Sequence, residues 1–211
     1  MRRSDGPPTQ QTPKTTSGNT TRRRGRAIVP TGDYDLTWAT ASNFEQLCEL
    51  TARWLEGVLD HNPSYGGGPP DPETGPLAPV LAAVNRAGFL TDFSQPGIPG
   101  GDDGRQQRAA VCGFCSGETT DRLSDALGPT DLVLLAEIND SGVRIPVTLD
   151  KGEGCTWVGG APAMSYVADC YPGVPRESIA ALASCWYVTI LDPVWGRDDR
   201  LWPTLLAAMT S

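Results

Sequence analysis

Residues 85–97 read Asn85-Arg86-Ala87-Gly88-Phe89-Leu90-Thr91-Asp92-Phe93-Ser94-Gln95-Pro96-Gly97, and within them a helical pattern turns into a strand. Before this stretch, Leu77, Val80, Leu81 and Val84 recur at helical spacing behind Pro76, whose missing N–H costs nothing in a first helical turn. Gly88 is placed to adopt the left-handed conformation that stops a helix, and residues 89–93 read as a strand. The Pro- and Gly-rich run 96–104 is then a loop, and a second strand is expected at about 108–114.

Working outward, Phe44, Leu47, Cys48, Thr51, Trp54, Leu55, Val58 and Leu59 form one apolar stripe, with Ser42 and Glu45 expected to make a capping box. His61, Asn62 and Pro63 end that helix. Downstream, Thr119 or Thr120 is expected to cap a short helix carrying Leu123, Ala126 and Leu127. Residues 132–138 and 143–149 flank Asn139-Asp140-Ser141-Gly142 and read as a hairpin, with Pro146 placing its second arm at a sheet edge. Residues 150–162 read as a glycine-rich loop, followed by short helices near 164–171 and 175–183, a last strand at 186–191 and a helix around 203–209. Strands and helices do not alternate regularly. The expectation is therefore a single α+β domain over 33–211, with a mixed or antiparallel sheet of about five strands covered by helices.

Composition narrows the function classes. The 211 residues carry a net charge of −8, yet residues 1–30 hold seven basic groups against Asp5 alone, a charge of +6 that leaves the body at −14. A body so acidic is poorly suited to phosphate backbones, so no nucleic-acid partner is expected for it. Residues 1–32 are rich in Pro, Thr and Arg and lack apolar periodicity, which predicts a disordered basic tail. Neither a secretory signal nor a run of 18 apolar residues occurs, so no membrane association and a cytoplasmic location are expected.

Motifs that name a chemistry are few. Cys112-Gly-Phe-Cys115 has redox-dithiol and zinc half-site spacing, but it falls on a predicted strand, where positions 112 and 115 face opposite sides, and buried structural thiols are favoured. His61 is the only histidine, and helix capping explains it better than catalysis. No phosphate-loop signature is present. No metal and no cofactor are expected. Asp92 and Asp192 are the candidate carboxylates for acid–base work.

Residues 85–97, together with Gln107-Arg108-Ala109-Ala110-Val111-Cys112-Gly113-Phe114, Leu50-Thr51-Ala52-Arg53-Trp54-Leu55-Glu56-Gly57 and Asp192-Pro193-Val194-Trp195-Gly196-Arg197, carry a family resemblance. They resemble a family of uncharacterised proteins from streptomycetes, related actinobacteria and their phages, described as a domain of unknown function. The matching blocks spread over most of residues 38–205. The resemblance implies a source and a shared fold but no activity; it does not call for cysteine at 112 and 115, and it makes the stretch before Val29 an extension beyond the family's usual start.

If the strands near 89–93 and 108–114 pair antiparallel, Arg86, Ser94, Gln95, Gln107 and Arg108 are expected to gather at one sheet end. Forked guanidinium donors, amides and a hydroxyl there could hold a small polar or anionic ligand. The leading expectation is thus a small-molecule binding module. One alternative is a hydrolase or transferase using Asp92 or Asp192 as general base in the same pocket. Another is a protein-interaction factor with a protein partner on its acidic face or on the Trp195 and Trp202 region.

Overall fold

The computed structural model describes residues 37–210, so the expected basic tail over 1–32 lies outside the described residues. The body is α+β, with seven strands divided between two antiparallel sheets. Helix α1 (Phe44–Leu55) starts one residue later than the Ser42–Glu45 pattern suggests. Asn43 has extended backbone and its Oδ1 accepts from the Gln46 amide, while Gln46 Oε1 accepts from the Ser42 amide. An Asn caps as well as a Ser, and Gln46 stands at the third helical position that can reach back, so the box shifts by one.

A 3-10 turn (Pro72–Leu77) leads into α2 (Ala78–Arg86), which Gly88 ends at φ 92° with its N–H on the Asn85 carbonyl. Buried Asn85 then ties helix to strand. Its Nδ2 donates to the Leu81 carbonyl and to Thr91 Oγ1, and its Oδ1 accepts from the Thr91 amide. Strand β1 (Phe89–Gln95) follows, then β2 (Arg105–Gln107), β3 (Ala110–Cys115), α3 (Gly117–Leu127), β4 (Val133–Glu137), β5 (Ile145–Asp150), β6 (Glu153–Val158), α4 (Met164–Cys170), α5 (Arg176–Leu182), β7 (Trp186–Leu191) and α6 (Leu201–Thr210). The cap of α3 is Ser116, whose Oγ accepts from the Thr119 amide, rather than Thr119 or Thr120.

The larger sheet has the order β1-β3-β7-β4 and the smaller β2-β5-β6. Every residue of β3 is buried, because both faces of the larger sheet are covered. Phe89, Val111, Val188 and Ile190 share a core with Trp54, Leu81, Leu123 and Leu205 from the helices. Ala110, Cys112 and Leu191 pack instead on Val147 and Val158 of the smaller sheet.

The expected hairpin of residues 132–138 and 143–149 does not form. β4 pairs with β7, while β5 pairs with β2 and β6. Between the two arms, Asp140 Oδ1 accepts from the Gly142 amide and its carboxylate pairs with Arg144, a local turn that sends the chain from one sheet to the other. The hairpin lies where a loop was expected: Lys151 (φ 51°) and Gly152 (φ 86°) form a two-residue connection between Asp150 and Glu153. Both residues have positive φ, which suits the twist of the strands they join. Pro146 sits in the central strand of three, not at an edge. Its missing donor is tolerated because β2 pairs only with residues 148–150 and stops short of it.

One glycine is required by close approach. A β-bulge in β1 shifts the register between Thr91 and Phe93, and the β1 backbone there lies so near Gly113 that a Cβ would stand 2.2 Å from the Leu90 carbonyl oxygen. The demanding residue of the Cys-Gly-Phe-Cys stretch is thus its glycine. Gly113→Ala is expected to cost about 3 kcal/mol through overpacking, read as a lowered midpoint in urea unfolding; an unchanged midpoint would show that the two backbones can separate freely.

Candidate functional site

Three of the segments that carry the family resemblance meet at one end of the larger sheet: the end of 85–97, the start of 107–114, and 192–197. The chain crosses there from the smaller sheet to the larger: the Arg108 amide donates to Val147 O in β5, and the Ala109 carbonyl accepts from the Asp192 amide just past β7. Gln95, at the end of β1, spans the gap. Its Nε2 donates to Arg108 O at 2.8 Å and Val147 O at 2.9 Å, and its Oε1 accepts from Thr148 Oγ1 at 3.0 Å. Ile98 and Gln107 exchange backbone hydrogen bonds, and the Gly196 amide donates to Gln107 O. The Gly97 amide donates to Asp198 Oδ1, which also accepts from Trp202 Nε1.

Asp192 belongs to this junction. Fully buried, it accepts from the Val194 amide at 2.8 Å and from Arg197 Nε at 2.6 Å, while Arg197 Nη2 reaches Asp131. Arg108 lies over Trp195, 4.1 Å from the ring centroid, and its Nη1 donates to Pro146 O. Burial disfavours its charge and the nearby Asp192 offsets part of that cost. Gln107 is buried, with an Oε1 that has no partner. Ser94 is half-buried opposite Val111. Gln95, Gln107 and Arg108 therefore come together as expected, but nearly all the polar capacity of Gln95 and Asp192 is spent on internal bonds.

Arg86 is not part of that cluster. It precedes β1 whereas Ser94 and Gln95 end it, and a seven-residue strand separates its ends by roughly 20 Å. Its guanidinium pairs with Glu49 and Glu56, fastening α2 to α1. Trp202 is buried and Trp195 half-buried under Arg108, so both C-terminal tryptophans are used within the fold.

Asp92 is differently situated. A bulge places two consecutive residues against one on the partner strand, and here it lets Asp92 reach Tyr187 of β7, whose hydroxyl lies 3.1 and 3.2 Å from the two carboxyl oxygens. No ion pair to Asp92 occurs among the described residues. Burial pushes its pKa up to about 6, and the Tyr187 hydrogen bond holds back part of the rise. Burial raises the pKa values of Tyr65, Tyr171, Cys112, Cys170 and Tyr187, and the Asp92 charge adds to each rise, which places these groups around it. Tyr65 packs on Trp54 with ring centroids 4.6 Å apart and is 38% exposed, so the cluster meets solvent at that residue.

The two cysteines of the Cys112–Cys115 stretch are buried thiols. Cys112 Sγ accepts from Thr189 Oγ1 and Cys115 Sγ contacts Thr120 Oγ1; burial pushes the two thiols up to about 12 and about 11. Among the described residues no group of three or more His, Cys, Asp or Glu could hold a metal. His61 uses its backbone carbonyl, which accepts from Trp38 Nε1.

Tyr187, Tyr65 and Tyr171 were not singled out by sequence reasoning. A signal for the first exists in β7, where hydroxyl-bearing Tyr187 and Thr189 alternate with Val188 and Ile190 and so mark a polar face. Tyr65 and Tyr171 come from a loop and a helix end whose meeting no local pattern announces.

The family model described as "Domain of unknown function (DUF6919)" matches residues 33–211. No curated protein matches the chain.

The two aspartates predict opposite effects of one substitution. Because the folded state raises the pKa of Asp92, its ionised form opposes folding, and that penalty develops as pH rises from about 4 to about 6. Asp92→Asn should therefore gain about 1–3 kcal/mol over the native chain at pH 8, with the difference fading below pH 4 in urea unfolding. Asp192→Asn should lose about 3 kcal/mol at pH 8 by leaving Arg197 half-paired. Equal losses for both variants would remove the distinction.

Proposed function

We propose, from the premise that this chain belongs to the DUF6919 family and that the family's description names no activity, that it binds a small polar molecule at the Asp92 surface. The observation that carries this reading is a half-buried carboxyl with no cation beside it, held near neutrality under a tyrosine hydroxyl and open to solvent along Tyr65. Stability alone would favour replacing such a group, and perturbed carboxyls without ion pairs concentrate at functional sites. The sheet-end residues Gln95, Gln107, Arg108 and Asp192 are read as the frame that holds the strands carrying Asp92 and Tyr187, with Ser94 beside it.

A second reading, a hydrolase or transferase with Asp92 as general base, is favoured by the same pKa, since a base near 6 is both deprotonated and basic enough at neutral pH. Asp192 is not offered as its partner, because both of its carboxyl oxygens are engaged. The six free cysteines suit the reducing cytoplasm proposed as the place of action. The quoted sequence blocks support an actinobacterial or phage source.

A thermal-shift screen of metabolites, run in parallel on native protein and on Tyr187→Phe and Asp92→Asn, tests the binding reading. A true ligand should raise the native melting temperature and lose most of that effect in Asp92→Asn, whereas a ligand whose effect survives in both variants binds elsewhere.

A further inference from the structure

The reading above leaves the charge of the ligand open, and the surroundings of Asp92 bear on it. Every titratable group that faces Asp92 is neutral or acidic when charged: Tyr187 from β7, Cys112 from β3, Tyr65 from the loop after α1, and Cys170 and Tyr171 from α4 and its end. Arg144 is a cation that interacts with Tyr187 of this cluster. Arg144 is already engaged. It pairs with Asp140 at 2.9 Å and donates to the carbonyls of Val143 and Gly159.

The walls are aromatic. Tyr65 lies against Trp54 and is partly exposed, and the Phe114 and Tyr187 rings meet edge to face at 5.1 Å. The Tyr65 hydroxyl takes no hydrogen-bond partner among the described residues and interacts electrostatically with Asp92. A carboxylate lacking a counter-charge and bordered by tyrosines repels anions and attracts a nitrogen cation, which can pair with the carboxylate while its apolar part lies against an aromatic side chain. The body's charge of −14 adds long-range attraction of the same sign.

We propose that the Asp92 site takes a small organic cation, an ammonium group donating to the Asp92 carboxylate while its apolar portion lies against Tyr65. This rests on the binding reading above and specifies its ligand class. The ammonium stands in for the absent counter-ion, so binding and ionisation of Asp92 are coupled. At a pH below the free carboxyl's value the cation must displace a proton, and its affinity falls. Tyr187 orients the carboxylate by sharing its hydroxyl between both oxygens, leaving the remaining lone pairs for the ligand.

The test uses three probes of one shape and three charges: benzylammonium, benzyl alcohol and benzoate, titrated by NMR into the full chain and into Asp92→Asn and Tyr65→Ala. Benzylammonium is expected to bind at millimolar concentration, to weaken about tenfold between about pH 7.5 and about pH 5, and to lose measurable affinity in Asp92→Asn, which should stay folded because it relieves a buried charge. Tyr65→Ala should weaken it without abolishing its pH dependence. Benzyl alcohol or benzoate binding more tightly than the amine, and in a manner that needs Asp92, would overturn the cation while keeping a ligand site there. If no probe shows binding that depends on Asp92, both the cation and the binding reading fall.

Discussion

The amide of Gln95 holds the two sheets in one body. Three hydrogen bonds from a single buried side chain reach the crossing point at Arg108 and two successive residues of β5, so the end of the larger sheet and the middle of the smaller one cannot slide independently. A buried amide of this kind is worth little net when satisfied, and costs the full desolvation of its partners when lost. The DPVWGR turn locks the same place from the other side, with Asp192 gripping Arg197 and Gly196 bonding Gln107 while lying close against Pro99. Gln95 and Asp192, whose polar atoms are taken up by internal bonds, thereby fasten a strand crossover.

That rigidity matters for the cluster one sheet-width away. The bulge that turns Asp92 toward Tyr187 is sustained by Gly113, which lets β1 press onto β3, and by Asn85, which pins Thr91 to the end of α2. The backbone on both sides of Asp92 is thus determined by other contacts, and the carboxyl is held in a place its own energetics would not choose. Burial without a counter-charge makes the ionised carboxylate costly when no cation is bound. Among the described residues the fully buried charge, Asp192, is paired with Arg197, whereas the Asp92 carboxyl has no ion pair, a cost of the kind that the proposed binding site would explain.

Helices α1, α2 and α6, the strands β1, β3 and β7, and the α+β class were legible because each rests on a local period or a local stop signal such as Gly88. The caps moved by a residue or more, since Asn43 and Ser116 compete on equal terms with the neighbours that pattern alone would select. The failed hairpin has a different origin. Alternation in residues 132–138 and 143–149 reports that each is half-buried, and says nothing of which strand lies alongside; the pairing of β4 with the distant β7, and of β5 with β2 and, through the tight Lys151–Gly152 turn, with β6, decided that.

Asp92 was visible as a residue type on a strand, and Arg108 and Gln95 as neighbours at a strand end. What no spacing could show was the division of labour among them. Whether a polar side chain is consumed by the fold or left over depends on the geometry of partners far away in the chain, 52 and 53 residues away for Gln95 and 95 for Asp92. Composition and periodicity are local quantities and determined the class, the elements and the acidic body. The burial that lifts one carboxyl, and the pairing that spends the other, exist only once the two sheets and the helices have closed around them.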